Sequence, residues 1–292
     1  MRNTRFAPVV ATVLFGGVAW LGPGAGATTR PLPAAITNVP LPAAASTVPL
    51  LAVMASTGDS ITRAFDVGPC CVFVDSPQYS WSTGSATRVL SHYRRILRQH
   101  PAIRGHATNV AQTGAKMSDL GSQLQRAAAV RPDYVTVLMG ANDVCTSTRR
   151  AMTPVATFQR EFGTALAQFT AARPTARVLV ASIPNLYRLW SVLHTKPAAR
   201  ATWQRYGICQ SLLSAHDTEA DRQAVLAHER SLNTALATVC ARYRQCRWDK
   251  LATFNVSFAP ADVSTVDYFH PSLSGQNRLA GATWAAGYWP GS

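Results

Sequence analysis

Three apolar runs in this 292-residue chain each stop at a glycine turn, and no other feature restricts the fold as much. The run 50–55 leads into Ser56-Thr57-Gly58-Asp59-Ser60, the segment 103–107 into Asn109-Val110-Ala111-Gln112-Thr113-Gly114-Ala115, and the run 134–139 into Gly140-Ala141-Asn142-Asp143. Short apolar runs bounded by turn residues read as buried strands. A fourth is expected at 177–183, ended by Pro184. Between the strands lie segments with helical spacing. In 86–99, Val89, Tyr93, Ile96 and Leu97 share a stripe, and in 117–130 Leu120, Leu124 and Ala128 do the same; further helices are expected at 155–172 and 220–244, and a last one from a Ser272 cap to about 286. Strands alternating with helices of this length predict a parallel sheet covered on both faces. In such sheets ligands bind beyond the carboxyl ends of the strands, where these turns lie.

Ser60 stands at such an end, before a short helix expected at 61–65 whose positive end would lie behind it. By itself a serine there is an ordinary capping residue. Asp267-Tyr268-Phe269-His270-Pro271-Ser272, near the C-terminus, adds a histidine with an aspartate three residues before it. Acyl transfer by serine needs a base for the hydroxyl proton, a carboxylate to orient that base, and donors facing the oxyanion. The four segments hold one candidate for each part.

In these blocks the sequence resembles the SGNH, or GDSL, hydrolases: Gly58-Asp59-Ser60, then Gly114, then Gly140-Ala141-Asn142-Asp143, then Asp267 through His270, in the family's order. The stretch Gly58-Asp59-Ser60-Ile61-Thr62-Arg63, together with Trp81-Ser82-Thr83-Gly84 and residues 113–120, is similar to the secreted actinobacterial esterases and lipases. The resemblance implies a serine esterase on an α/β, three-layer α/β/α flavodoxin-like fold with a central parallel sheet. Thr57 stands where many members carry an aromatic or aliphatic residue, and 66–79 departs from the pattern, which bears on the substrate more than on the chemistry.

The expected roles follow. Ser60 is the nucleophile, His270 the general base and then acid, and Asp267 the group that fixes the imidazole tautomer; Asp262 is a weaker alternative for that carboxylate. The backbone N–H groups of Ser60 and Gly114 and the side-chain amide of Asn142 are the oxyanion donors, with Asp59 and Asp143 bonding backbone amides to hold the turns. The other six histidines read as structural or solvated. There is no Gly-x-Ser-x-Gly elbow, dinucleotide fingerprint, phosphate loop or His-Glu-x-x-His, and no cofactor or metal is expected.

Residues 1–27 have the form of a secretory signal: Arg2 and Arg5, an apolar run interrupted by Pro8 and Gly16-Gly17, and small residues at Ala25-Gly26-Ala27. The segment 28–49, rich in Pro, Ala and Thr, reads as a disordered leader, and 50–292 as one hydrolase domain. In an exported chain six cysteines favour disulfides. Cys240 and Cys246 can close a small loop and Cys145 is matched to Cys209, while the adjacent Cys70 and Cys71 form a vicinal pair or belong to another pairing.

The net charge of +14 falls to +12 once Arg2 and Arg5 are removed with the signal. The arginines are scattered and lack interleaved aromatics, which argues against nucleic acid; weak attraction to anionic lipid or cell-wall polymer, or a merely solvated basic face, remains. The expected enzyme is a secreted, monomeric esterase or lipase acting on lipid or small acyl esters. A carbohydrate O-acetyl esterase on the same catalytic set is the alternative, and an inactive binding protein on this fold the third reading. The connection 185–217 carries Leu186, Tyr187, Leu189, Trp190, Leu193 and Trp203, apolar enough to line an acyl pocket or to form a small core.

Overall fold

A computed structural model of the chain describes residues 49–289. The expected signal peptide, and all but Pro49 of the expected leader, lie outside the described residues. Five strands, β1 (Met54–Gly58), β2 (Ala107–Asn109), β3 (Tyr134–Leu138), β4 (Arg177–Ala181) and β5 (Cys246–Trp248), form one parallel sheet in the order β2-β1-β3-β4-β5. This is the doubly wound order whose switch point, the place where ligands bind, falls between β1 and β3. The helices are α1 (His92–Gln99), α2 (Leu120–Ala129), α3 (Ala141–Val144), α4 (Val155–Ala172), α5 (Leu186–Leu193), α6 (Pro197–Arg205), α7 (Gln210–Leu213), α8 (Glu219–Cys240) and α9 (Leu273–Ala286). None of the described helices is long and apolar enough to cross a membrane.

Every residue of β1 and β3 is buried, as a sheet covered on both faces requires. Alternate residues serve opposite faces. Ala55, Val135, Val137, Val178 and Val180 pack with Leu124 of α2, Phe158, Phe162 and Phe169 of α4, and Leu232 and Leu236 of α8. Met54, Tyr134 and Leu179, each one residue out of phase with these, pack with Tyr93 and Ile96 of α1 and with Trp284 of α9. Burial of this kind contributes roughly 1.5–3 kcal/mol per side chain and is what selects the layers.

The structure corrects several expected boundaries. β1 begins at Met54 and runs through Ser56 and Thr57 to Gly58, so the turn begins only at Asp59. The helix expected at 61–65 is absent: Ala64 and Asp66 take positive φ (49° and 50°), and the amides of Asp66 and Ser76 bond across the loop to Val74 and Arg63. No helix end therefore lies behind Ser60. α1 starts at His92 because Ser91 caps it, its Oγ accepting the Arg94 N–H at 3.1 Å; Val89 is buried from a loop. β5 was not expected. It is a three-residue edge strand in an arginine-rich segment, half-buried throughout, with too few residues to show a period.

All six cysteines pair, as Cys70–Cys71, Cys145–Cys209 and Cys240–Cys246. The connection 185–217 contains α5, α6 and α7, and Leu193 and Trp203 join the main core.

Candidate active site

Ser60 follows β1, Asn142 follows β3, and between them they straddle the switch point of the sheet. Gly58 makes the exit from β1 possible. Its φ is +148°, and a Cβ there would lie 2.4 Å from the Leu138 carbonyl oxygen and 2.5 Å from Thr62 Oγ1. Gln123 of α2 holds both backbone polar groups of this glycine: its Oε1 accepts the Gly58 N–H at 2.8 Å and its Nε2 donates to the Gly58 carbonyl at 2.9 Å. Asp59 Oδ1 accepts the Ile61 N–H at 2.9 Å, closing the turn that presents Ser60.

Across the cleft, residues 264–272 form a loop tied down at both ends. An isolated bridge joins Val263 to Pro271, the Ser264 N–H donates to the His270 carbonyl at 2.8 Å, and Trp203 Nε1 donates to the Tyr268 carbonyl at 3.0 Å. Within it, Asp267 Oδ1 accepts the N–H groups of Phe269 (2.8 Å) and His270 (3.0 Å), and Oδ2 bonds His270 Nδ1 at 2.5 Å. The opposite ring nitrogen, Nε2, lies 2.7 Å from Ser60 Oγ. Three side chains from positions 210 residues apart thus form one hydrogen-bonded chain. The edges of Phe65 and Phe269 pack on the imidazole at 5.1 and 5.0 Å between centroids, limiting its rotation. Asp262 is turned away, bonding the Ala259 N–H, Ser274 Oγ and Arg278 Nε.

The electrostatics separate the carboxyls. Burial by itself would raise Asp267, but the His270 hydrogen bond and charge, with the two backbone N–H donors, hold it below the ordinary carboxylate range. Asp59 is driven up to about 7, chiefly by burial, which its Ile61 N–H bond only partly offsets. Asp143 rises to about 6 for the same first reason.

Gly114 has φ +81° with open space where a Cβ would be, so the conformation and not crowding calls for glycine. Neither its N–H nor that of Ser60 donates to another group among the described residues. Asn142 spends one amide hydrogen on the Ala115 carbonyl (2.9 Å), which leaves the other for the cleft that it lines. Asp143 does not brace its own turn; its Oδ2 accepts the Met117 N–H at 3.0 Å and thereby ties the end of β3 to the Gly114 loop. Thr113 Oγ1 reaches Asp75, which pairs with Arg63 at 2.9 Å, so the same loop is also fixed to 63–75.

The cleft measures about 290 Å³ and is lined by Ser60, Gly114, Asn142 and His270 and by the apolar faces of Phe65, Phe73, Ile208 and Phe269. Phe73 meets Tyr206 edge-on at 5.7 Å, and both are half exposed. The Cys145–Cys209 bridge is part of the wall. Leu186 and Leu189 border instead a separate small pocket of about 40 Å³ that shares Phe269. Asp66, Asp267 and His270 bring ligand atoms within 4.8 Å of one another, but both His270 ring nitrogens are already engaged by Asp267 and Ser60, so the set does not offer a metal an imidazole lone pair.

The sequence model of the GDSL-like lipase and acylhydrolase family matches residues 57–278. The chain belongs to this family. Among curated proteins no match is found. Among solved structures, a GDSL-family chain is similar in fold to a protein described as a GDSL-like lipase from Parabacteroides merdae, with a TM-score of 0.54 at 15% identity over 82% of this chain and 97% of that one. An acetylxylan esterase from Geobacillus stearothermophilus (TM-score 0.48, 15% identity, 82% and 96% covered) and phospholipase A1 from Streptomyces albidoflavus (0.46, 17%, 77% and 94%) are more distant and decide nothing about substrate.

Two residues of this GDSL site escaped the sequence reading. Gln123 left a trace, a polar residue on the apolar face of an amphipathic helix, where burial demands a partner. Asp66 left none, because only its neighbours in space distinguish it from a loop aspartate.

Proposed function

We propose that the protein is a secreted serine esterase that hydrolyses lipid or small acyl esters through an acyl-enzyme. The observation that carries this reading is the hydrogen-bonded chain from Ser60 Oγ through His270 to Asp267 at 2.7 and 2.5 Å. Ser60 Oγ attacks the ester carbonyl carbon while its proton passes to His270 Nε2. The carbonyl oxygen becomes an oxyanion received by the N–H groups of Ser60 and Gly114 and the amide of Asn142. The intermediate collapses as His270 returns the proton to the departing alcohol oxygen, leaving an ester on Ser60. Water, deprotonated by His270, then attacks that ester, and the acid leaves as Ser60 regains its proton. Asp267, held ionised at neutral pH, stabilises the imidazolium that forms in both halves.

The apolar lining by Phe65, Phe73, Ile208 and Phe269 favours an acyl chain over the hydroxyl-rich face of a glycan. Three disulfides accord with export of the chain after cleavage near Ala27. A fluorophosphonate probe should label Ser60 and no other serine. Hydrolysis of p-nitrophenyl esters from acetate to palmitate, run beside acetylated xylan, should then show activity that survives lengthening of the acyl chain. Failure to label defeats the serine-esterase reading, and activity confined to acetylated xylan replaces the acyl-ester reading with the carbohydrate O-acetyl esterase.

A further inference from the structure

Asp66 lies in the loop after Ser60 and is fully buried, yet it takes no part in the triad described above. Its Oδ1 accepts the Phe73 N–H, and its own N–H donates to the Val74 carbonyl at 3.3 Å, closing the loop 66–74. Its Oδ2 is buried without a hydrogen-bond donor. A carboxylate oxygen of Asp66 lies within 4.8 Å of the ligand atoms of Asp267 and His270. The backbone adopts φ 50°, a region that a side-chain-bearing residue enters at a cost. An unfavourable backbone, an unsatisfied buried oxygen and a like-charged neighbour therefore coincide at one residue beside the reacting groups. Sites where local rules are broken together are those where function, not stability, sets the residue.

We propose that Asp66 is a positioning residue for the catalytic chain: it sets a second carboxyl against Asp267 and, through the Phe73 N–H, holds the aromatic wall of the cleft in register with Ser60. This rests on the serine-esterase reading. Burial, then the charge of Asp267, moves Asp66 up to about 6, so it changes state within the mildly acid range. Ionised, Asp66 adds a second negative charge near the imidazole and favours the imidazolium formed when Ser60 gives up its proton. Protonated, it donates its O–H to Asp267 and weakens that carboxylate's pull on the ring. The titratable groups facing Asp66 are Asp267 and His270. Asp59 acts on His270 from the β1 turn, and Arg63, the cation of the Asp66 loop, is paired to Asp75. Phe65 and Phe73, which line the cleft with Asp66, bring no charge.

The test compares Asp66→Asn and Asp66→Ala with wild type in the full chain. The readings are kcat and kcat/KM for p-nitrophenyl butyrate from pH 5 to 9, active-site titration with a fluorophosphonate, and thermal melts. Asparagine keeps the acceptor for Phe73 and is a permanent neutral donor to Asp267. It should leave KM within about twofold, lower kcat at pH 8 by about 3- to 10-fold, and move the acid limb of kcat/KM to lower pH by about one unit, because the second anion no longer favours the protonated ring. Alanine should also raise KM, since it frees the Phe73 loop. An Asp66→Asn enzyme whose pH profile and kcat superpose on wild type overturns the proposal, whatever the alanine variant does. A wild-type enzyme that the probe does not label overturns the esterase reading itself, and the two failures are told apart by that labelling.

Discussion

Opening the Cys145–Cys209 bridge should damage catalysis before it damages the sheet. The bridge spans 64 positions and joins the residue just after α3, three after Asn142, to the residue just before α7. In the chain-entropy account a loop of that length stabilises the folded state by about 4 kcal/mol at 25 °C, against about 2 kcal/mol for the six-position span of Cys240–Cys246. For a domain of this size those figures correspond to losses in Tm of roughly 10 °C and 5 °C. The local effect on the cleft differs in kind. Ser211 remains bonded to the Val144 carbonyl at 2.8 Å and to the Thr146 amide at 3.2 Å after reduction, so the wall loosens without leaving. β1, β3 and β4 meanwhile stay buried on both faces and keep their packing. The double variant Cys145→Ser/Cys209→Ser and the double variant Cys240→Ser/Cys246→Ser should be compared by calorimetry and by esterase assay. Mild reduction of wild type should be followed by activity and circular dichroism together. Peptide mapping that finds Cys145 free, a Tm loss no larger than that of the Cys240/Cys246 variant, or activity and dichroism lost in step would each refute this account.

Ser60→Ala and His270→Ala should each remove ester hydrolysis while leaving Tm within about 2 °C of wild type, since both side chains lie at the cleft; near-normal turnover in either variant sinks the triad assignment. Asn142→Ala should lower kcat by ~10²- to 10³-fold and keep a trace of activity through the two backbone donors, and an unchanged rate would return Asn142 to a turn role. Gly58→Ala should lose more than about 3 kcal/mol, because the new Cβ meets a backbone oxygen at 2.4 Å; a loss below 1 kcal/mol on denaturant titration would show that the turn relaxes. Stability should rise as pH falls from 8 to 5. Asp59 is raised from 3.8 to about 7, and Asp66 and Asp143 to about 6, so each contributes stability that is fully present below about pH 4 and lost as pH climbs through those values. Glu229, buried and raised, acts in the same sense. His92, buried and lowered to about 3, acts oppositely below 6.5, but one imidazole is outweighed by four carboxyls. A Tm that increases from pH 5 to pH 8 contradicts this balance.

The sheet and the edge that carries the candidate site were legible in the sequence because the signals are local. Val135, Val137, Val178 and Val180 announce strands buried on both faces, and Gly58, Gly114 and Gly140 mark where each chain segment turns beyond the strand end. Asp267 and His270 are three residues apart, so their bond depends on one short loop. Helix α1 starts later than its apolar pattern, which continues through Val89, because Ser91 caps it, and 61–65 is a turn because its local bonds to Asp59, Ser60 and Ile61 are cut short by the positive φ of Ala64 and Asp66. Edge strand β5 is too short to carry a period. What only tertiary structure decided are the partners separated by tens or hundreds of residues. Gln123 grips Gly58 across 65 positions, Trp203 holds the Tyr268 carbonyl across 65, and His270 meets Ser60 across 210. The same holds for the cleft wall, where Tyr206 faces Phe73, and for Asp66 beside Asp267. Propensity and periodicity act over a turn of helix or a few strand residues, whereas these contacts exist only once the sheet order β2-β1-β3-β4-β5 has brought distant loops to one edge.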